Sequence, residues 1–218
     1  MIGKPSFLSA FDLDHTLVRG NSSLSFCRYL FCKRVLPLSA YLYSGVYLLQ
    51  HRFFHISLSK LHQSVFRRIL FGKPLKEIEK HVENFLQQYL FSAFYPPAIS
   101  SLKLAQHLGH YTVILSNSPS FLVKAIAQFL GVNEWHATEY NVDKDAKLCK
   151  IAQIIQGEDK AKCIGEIAGK LGIVREAITA YSDSFLDLQF LQAAGNPIAV
   201  NPDKKLRAFS QARAWNII

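Results

Sequence analysis

Short apolar runs alternate with segments of helical periodicity along the second half of this chain, and this alternation limits the folds open to it. Tyr111–Leu115 and Ile178–Ser182 have the length and composition of buried strands. Phe121–Leu130 and Lys160–Leu171 repeat apolar residues at three- and four-residue spacing, as amphipathic helices do. Strands alternating with helices form a mostly parallel sheet with helices on its faces. The sequence therefore predicts an α/β fold with a doubly wound, mostly parallel sheet.

A long helical stretch interrupts this alternation after the first predicted strand. Ser6–Leu13 is an apolar run that ends in acidic residues and is typical of a buried parallel strand. From Asn21 to about Tyr95 the apolar spacing is helical throughout. We expect residues 21–95 to form an all-helical cap, inserted into a core domain made of residues 1–20 and 96–218.

Two local expectations concern the segments after the cap. Pro96 and Pro97 are expected to end the helical block, and the next helix is predicted over Leu102–Leu108. Trp135–Val142 and Leu148–Ile151 are predicted strands joined by a polar turn, which favours a hairpin.

Polar residues follow the predicted strands at the place where doubly wound sheets bind ligands, outside the carboxyl ends of the strands. They fall in four motifs: FDLDHT with Asp12, Asp14 and Thr16; LSNSP with Ser116, Asn117 and Ser118; GEDKAK with Lys160; and YSDSFLD with Asp183, Ser184 and Asp187. Each motif alone is a weak signal, since a Ser after a strand is commonly a helix cap. Four motifs in this order, each at a strand or helix end, are a much stronger one.

These residue types suit the hydrolysis of phosphate monoesters. A carboxylate nucleophile divides the reaction into formation and hydrolysis of an aspartyl phosphate, and a second carboxyl group can move the protons. Two carboxylates ~4 Å apart repel by about 4 kcal/mol at an effective dielectric near 20. Mg²⁺ with oxygen ligands would relieve this repulsion, whereas Zn²⁺ is disfavoured because no His or Cys joins the motifs.

The motifs resemble those of the haloacid dehalogenase (HAD) superfamily, and most closely subfamily IB, the phosphoserine phosphatase-like branch. The resemblance rests on AFDLDHTLVRGNS, VILSNSP and the closing run YSDSFLDLQFLQAAGNPIAVNPDKKLRAFSQARAW, and it covers nearly the whole chain. It implies a HAD-like Rossmannoid core, a helical cap inserted after the first motif, and a Mg²⁺-dependent phosphatase acting through a phosphoaspartate.

The resemblance also implies a role for each motif residue. Asp12 would be the nucleophile and Asp14 the general acid and base. The metal would be held by Asp12, the backbone carbonyl of Asp14 and Asp183, with Asp187 and Ser184 supporting these ligands. The phosphoryl group would be bound by Thr16, Ser116 and the backbone of Asn117, and Lys160 would be the catalytic residue that neutralises its charge.

The chain departs from the branch at positions that would face the substrate. Asn21 stands where phosphoserine phosphatases usually carry an acidic residue that receives the substrate ammonium, which argues against a strong preference for phosphoserine. His15 stands where many relatives have Gly. Arg67 and Arg68 in the cap are candidates for binding a substrate carboxylate or second phosphate, and a solvated helix face is the competing interpretation.

Charge and composition limit the classes of molecule that this protein is expected to bind. The net charge of +9 favours anionic partners. No block rich in Lys and Arg predicts a nucleic-acid patch, so we expect a small phosphomonoester substrate and no nucleic acid. The N-terminal sequence lacks the features of a signal peptide. The four cysteines form no C-x-x-C pair and are interpreted as buried thiols, which favours a cytoplasmic protein.

Two other functions stay open at this point. A phosphatase or phosphotransferase acting at a membrane surface, on a lipid or amino-alcohol phosphate head group, is suggested by the basic cap and its aromatic residues Tyr41, Tyr43, Tyr47, Phe53 and Phe54. Membrane association is the less favoured reading, and the oligomeric state is not predicted. The third possibility is a binding protein that keeps the fold without catalysis.

Overall fold

A computed structural model of the protein describes residues 4–43, 45–46 and 58–218, and in this part of the chain seven strands form one sheet. The strands are β1 Leu8–Phe11, β2 Tyr111–Pro119, β3 Glu134–Val142, β4 Leu148–Gln153, β5 Ile178–Ser182, β6 Asn196–Ala199 and β7 Asn216–Ile217. Their order across the sheet is β4-β3-β2-β1-β5-β6-β7. Only the β3–β4 pair is antiparallel among these strands, which confirms a mostly parallel sheet and the predicted hairpin.

The other regular elements of the described chain are helices. They are α1 Ser22–Cys32, α2 Leu58–Val65, α3 Leu75–Ala93, α4 Pro96–His107, α5 Ser120–Leu130, α6 Gly157–Leu171, α7 Leu188–Ala193 and α8 Lys204–Ala212. Residues 38–43 and 45–46 are also helical, and a π-helical turn at Phe66–Leu70 continues α2. Every regular element described between β1 and α4 is helical, in accord with the predicted fold class. The bounds of the cap at 21 and 95 stay a prediction.

The central strand β1 fixes where the first motif lies. All four of its residues are buried, as expected for a strand covered on both faces of a parallel sheet. It pairs with β2 on one side and β5 on the other, so Phe11 lies between Ile114 and Tyr181. The chain therefore leaves β1 at the sheet edge where β2 and β5 also end.

Aromatic packing and main-chain hydrogen bonds join the helical segment to the sheet. Phe26 of α1 packs edge-on against Phe85 of α3 at 5.2 Å between ring centroids, and lies 6.2 Å from Phe121 of α5. Further along the chain, Gly72 donates its N–H to the Leu148 carbonyl, and Leu148 N–H donates to the Lys73 carbonyl. Ring packing and main-chain hydrogen bonds thus both hold this helical segment against the sheet.

Three details differ from the sequence-based expectations. Pro96 was expected to end the helical block, but it is the first residue of α4. Proline suits the first position of a helix because no N–H donor is needed there. The short edge strand β7 was not predicted, since two residues carry no usable periodicity. Cys32 is exposed, so the expectation of buried thiols was wrong for this residue, whereas the other three cysteines are partly buried and Cys27 packs against the hydrophobic core. Within the described residues, no helix is both long and apolar enough to cross a bilayer.

Candidate active site

The four motifs meet at the carboxyl end of the central strands. Asp12 follows β1, Ser116 lies in β2, and Asp183 follows β5. Lys160 reaches them from the first turn of α6, with its Nζ 2.6 Å from Asp12 Oδ1. The Thr16 hydroxyl lies 3.3 Å from both Asp12 Oδ2 and Asp183 Oδ1.

Lys160 is a buried cation held between two carboxylates. Its Nζ donates to Asp12 Oδ1 and to Asp187 Oδ2, each at 2.6 Å, and only 2% of the residue is exposed. Burial by itself would lower the pKa of Lys160, but the charges of Asp12 and Asp187 outweigh it and raise the pKa above its ordinary value. Lys160 therefore carries a positive charge across the physiological pH range.

Two backbone segments approach each other closely at Gly157, and this approach positions Lys160. Gly157 begins α6, and a Cβ there would collide with the main-chain oxygen of Leu186 in the loop that carries Asp187. Gln156 and Asp159 form a capping box that fixes the same turn. The absence of a side chain at position 157 thus lets the helix start close enough for Lys160 and Asp187 to meet.

Asp187 and Ser184 both lie in the loop after β5, but their side chains hold different groups. The Ser182 hydroxyl donates to Asp187 Oδ2 at 2.8 Å, so this carboxylate is fixed by Ser182 and Lys160 together. Ser184 instead holds its own loop, since its Oγ accepts the Leu186 N–H at 3.2 Å. Asp203 accepts the Phe185 N–H at 2.8 Å and braces the same turn.

The Asp14 carboxyl group is held by the loop after β2 and by the first cap helix. Ser118 Oγ donates to Asp14 Oδ2 at 2.6 Å, and the backbone N–H of Ser22 donates to Asp14 Oδ1 at 2.7 Å. Ser22 opens α1, where helix N–H groups have no partner within the helix. Sequence reasoning did not single out Ser118 or Ser22 as partners of Asp14, although Ser118 lies within the second motif and Asn21 before Ser22 is a typical helix cap.

The predicted phosphate-binding residues of the second motif lie in β2, which extends further than expected, to Pro119. Ser116 is buried and its Oγ accepts the Ser118 N–H at 3.1 Å. The Asn117 carbonyl accepts a hydrogen bond from the Thr138 hydroxyl at 2.7 Å. These contacts fix the backbone of the motif; phosphate binding by Ser116 and Asn117 stays a prediction.

The site has more acidic groups than its own cation can neutralise. Burial, ahead of neighbouring charges, raises the pKa of Asp12 to about 7 and that of Asp183 to about 8. The Thr16 hydroxyl has one proton and cannot donate to both carboxylates at once. A site with excess negative charge and oxygen donors fits a hard divalent cation such as Mg²⁺.

The predicted ligands for that ion are two carboxylates and a main-chain oxygen. Among the described residues, no group of three or more His, Cys, Asp or Glu side chains is arranged to hold a metal. This is compatible with the predicted set, in which Asp12 and Asp183 contribute side chains and Asp14 contributes its carbonyl. The Asp14 carboxyl group is already engaged by Ser118 and Ser22.

The predicted substrate residues of the cap lie apart from this network. The Asn21 side-chain oxygen accepts the Leu24 N–H at 2.8 Å and caps α1. Arg67 is exposed in the π-helical turn, and none of the hydrogen bonds or ion pairs described for the chain joins it to the four motifs. Arg68 lies over the Tyr43 ring, 3.8 Å from its centroid. Tyr47, Phe53 and Phe54 lie outside the described residues.

An open cleft of about 300 Å³ adjoins the first motif. It is lined by His15, Arg19, Gly20, Tyr95 and Asn201. His15 adopts a left-handed backbone conformation with φ of 60°, and its N–H donates to the Gly20 carbonyl. The cleft therefore lies where the chain enters and leaves the cap, and its charged lining residues are basic.

Comparison with known proteins gives matches over most of the chain. The family model of haloacid dehalogenase-like hydrolases matches residues 10–192. A probable phosphatase of Mycobacterium tuberculosis is 28% identical over 212 residues, covering 95% of this chain and 73% of that protein. A phosphoserine phosphatase of the same organism is 25% identical over 213 residues, covering 95% and 68%.

Solved structures share the fold. A protein of unknown function from Bordetella pertussis superposes with a TM-score of 0.84 at 21% identity, covering 98% of each chain. A phosphoserine phosphatase described as a phospho-aspartyl intermediate analogue gives a TM-score of 0.70 at 19% identity, covering 98% of this chain and 93% of that one. These likenesses confirm the arrangement of sheet and helices.

Replacing Lys160 by Met should lower the free energy of unfolding by about 3–5 kcal/mol, because Asp12 and Asp187 would stay buried without their cation. Urea unfolding of the wild type, Lys160→Met, Asp187→Asn and the double variant measures this. We expect the double variant to be more stable than the sum of the single effects implies. Strictly additive losses would show that Lys160 and Asp187 do not interact.

Proposed function

Because this chain belongs to the haloacid dehalogenase-like hydrolases, we propose that it is a Mg²⁺-dependent phosphatase acting on a small phosphomonoester through a phosphoaspartate at Asp12. The observation that carries the proposal is the buried Asp12 carboxylate, 2.6 Å from the Lys160 ammonium, with the Thr16 hydroxyl 3.3 Å from both Asp12 and Asp183. The name of the Mycobacterium tuberculosis relative, a probable phosphatase, agrees with this activity.

Asp12 would attack phosphorus with one carboxylate oxygen while Lys160 neutralises charge on the transferring group. Lys160 Nζ keeps one donor beyond the two used by Asp12 and Asp187, since an ammonium carries three protons. The Thr16 hydroxyl and the main-chain N–H groups around Ser116 are the neutral donors suited to the phosphoryl oxygens. Mg²⁺, held by Asp12, Asp183 and the Asp14 carbonyl, would supply the positive charge that these residues lack.

Asp14 would protonate the leaving oxygen and later take a proton from the attacking water. Its carboxyl group is held by Ser118 Oγ and Ser22 N–H, so its orientation is set before substrate arrives. Ser118 Oγ also lies 2.7 Å from Ser23 Oγ, which extends the network to the next residue of α1. The position of α1 and the orientation of the acid and base are therefore linked.

The leaving group would meet neutral and basic residues. The Asn21 oxygen is engaged in capping α1, and its amide carries no charge to attract an ammonium group. The cleft beside His15 and Arg19 offers positive charge to an anionic leaving group. A substrate with an anionic or neutral alcohol portion fits these surroundings better than one recognised by its amine.

Asp12→Asn should lower Mg²⁺-dependent hydrolysis of p-nitrophenyl phosphate by at least about 10⁴-fold, because the amide is a poor nucleophile. Asp145→Asn, an isosteric change in the exposed β3–β4 turn, should leave the rate unchanged. Chelation with EDTA should abolish wild-type turnover and added Mg²⁺ should restore it. A folded wild type without turnover in Mg²⁺ would instead support a binding protein that keeps the fold.

Ser118→Ala should reduce kcat by about ten- to a hundredfold with little change in KM, because Asp14 would lose one of its two fixed partners. Steady-state kinetics with the same aryl phosphate tests this. Ser92→Ala removes a hydroxyl bonded only to the Tyr89 carbonyl on an exposed helix surface and serves as the control. An unchanged kcat in Ser118→Ala would exclude the proposed role of this contact.

Phosphoserine should not be strongly preferred over other phosphomonoesters, because Asn21 lacks the charge that would bind the ammonium. A panel of phosphorylated metabolites, compared by kcat/KM, is the appropriate measurement. Asn21→Asp should raise the relative kcat/KM for phosphoserine, and Asp is also an effective helix cap. A large wild-type preference for phosphoserine would contradict this assignment.

A further inference from the structure

The cap carries most of the positive charge of the protein. Residues 21–95 contain ten Lys and Arg against three Asp and Glu, a net charge of +7 out of +9 for the whole chain. The remaining two thirds of the sequence are therefore close to neutral. This asymmetry gives the cap a field that attracts anionic surfaces.

Exposed apolar residues follow one face of the helical residues 38–43 and 45–46. Leu38, Leu42 and Val46 are spaced by four residues and are 52%, 56% and 47% exposed, with Tyr43 beside them at 40%. The other face is used for packing, since Ala40 is buried. We call Leu38, Leu42, Tyr43 and Val46 the apolar stripe. Clustered exposed apolar side chains of this kind mark interaction sites.

Three basic residues lie next to the apolar stripe, one in contact with it and two just before it in the sequence, and we call them its basic border. The Arg68 guanidinium lies over the Tyr43 ring, 3.8 Å from its centroid. Lys33 and Arg34 are exposed in the turn just before the helical segment. An apolar helix face flanked by Lys and Arg is the pattern of segments that lie in the interface of an anionic membrane.

We propose that the apolar stripe and its basic border dock this protein on anionic phospholipid surfaces. The apolar side chains would enter the boundary between head groups and acyl chains, while Lys33, Arg34 and Arg68 contact lipid phosphates. A second copy of the chain is a poorer occupant, because two caps of charge +7 repel each other. Docking does not depend on the proposed phosphatase activity, although it would bring the site close to lipid-linked phosphate esters.

Vesicle flotation tests this proposal with the full-length protein. We expect the wild type to bind vesicles of equal parts phosphatidylserine and phosphatidylcholine at about 0.15 M salt, and less so at about 1 M, where charges are screened. Leu38→Gln/Leu42→Gln should lower the partition coefficient roughly tenfold or more, through loss of apolar burial. Leu104→Gln/Leu108→Gln is the matched control. These two leucines of the predicted core domain are also four residues apart, and they are 58% and 60% exposed.

A charge pair tests the basic border in the same assay. Lys33→Gln/Arg34→Gln should weaken binding to the anionic vesicles, whereas Lys204→Gln/Lys205→Gln, an exposed adjacent pair of the core, should not. All variants should hydrolyse p-nitrophenyl phosphate at the wild-type rate without vesicles. If none of these proteins, including the wild type, hydrolyses p-nitrophenyl phosphate, the result would count against the proposed function. Docking would then be judged by flotation alone.

Three outcomes would overturn docking by the apolar stripe. The first is a wild type that does not float with anionic vesicles at about 0.15 M salt. The second is equal binding by the stripe variant and the Leu104/Leu108 control. The third is a wild-type dimer in sedimentation velocity that the stripe variant abolishes, which would identify a second copy of the chain as the occupant.

Discussion

The burial of one ammonium group among several carboxyl groups governs the architecture of this site. Lys160 contacts Asp12 and Asp187 at 2.6 Å, and these contacts make a cluster of acidic residues tolerable in a nearly closed environment. Removing water from charges is costly unless opposite charges and hydrogen bonds replace it. The capping box and Gly157 of α6, together with the Ser182 hydroxyl, all serve to place these three groups. One ammonium group cannot neutralise the negative charges of Asp12, Asp183 and Asp187. This excess of negative charge is the physical reason to expect a divalent cation.

A second network connects chemistry with the cap. Asp14 lies beside Asp12 in sequence, yet its carboxyl group points to Ser118 and to the N-terminus of α1. The favourable interaction of a carboxylate with helix N–H groups holds that helix to the core. The same residue would therefore serve proton transfer and cap position, so that substrate entry and acid–base geometry are not independent.

The sequence predicted the fold and the convergence of the motifs because both follow from strand periodicity and from the rule that parallel strands end at one edge. It did not predict the partners of Asp14, since hydrogen bonds between Asp14, Ser22 and Ser118 depend on how the cap packs, which no local pattern encodes. The start of α4 at Pro96 was missed because a double proline marks a boundary without saying on which side the helix lies. The exposure of Cys32 was missed for a related reason, as its environment depends on where α1 ends. Asn21 illustrates the remaining difficulty, because one residue type suits both a helix cap and a substrate contact.

Main-chain hydrogen bonds between the cap and the β3–β4 hairpin limit how this enzyme can admit a molecule. Gly72, Lys73 and Leu75 bond to Leu148 and Ala146, while Tyr95 bonds to Leu17 at the return to the core. A cap attached at both of these places cannot rotate outward about a single hinge. Either the β3–β4 hairpin moves together with the cap, or ligands enter through an opening between the two attachments. Phosphorylated macromolecules wider than that opening would then be excluded by size alone, before they contact any residue of the site.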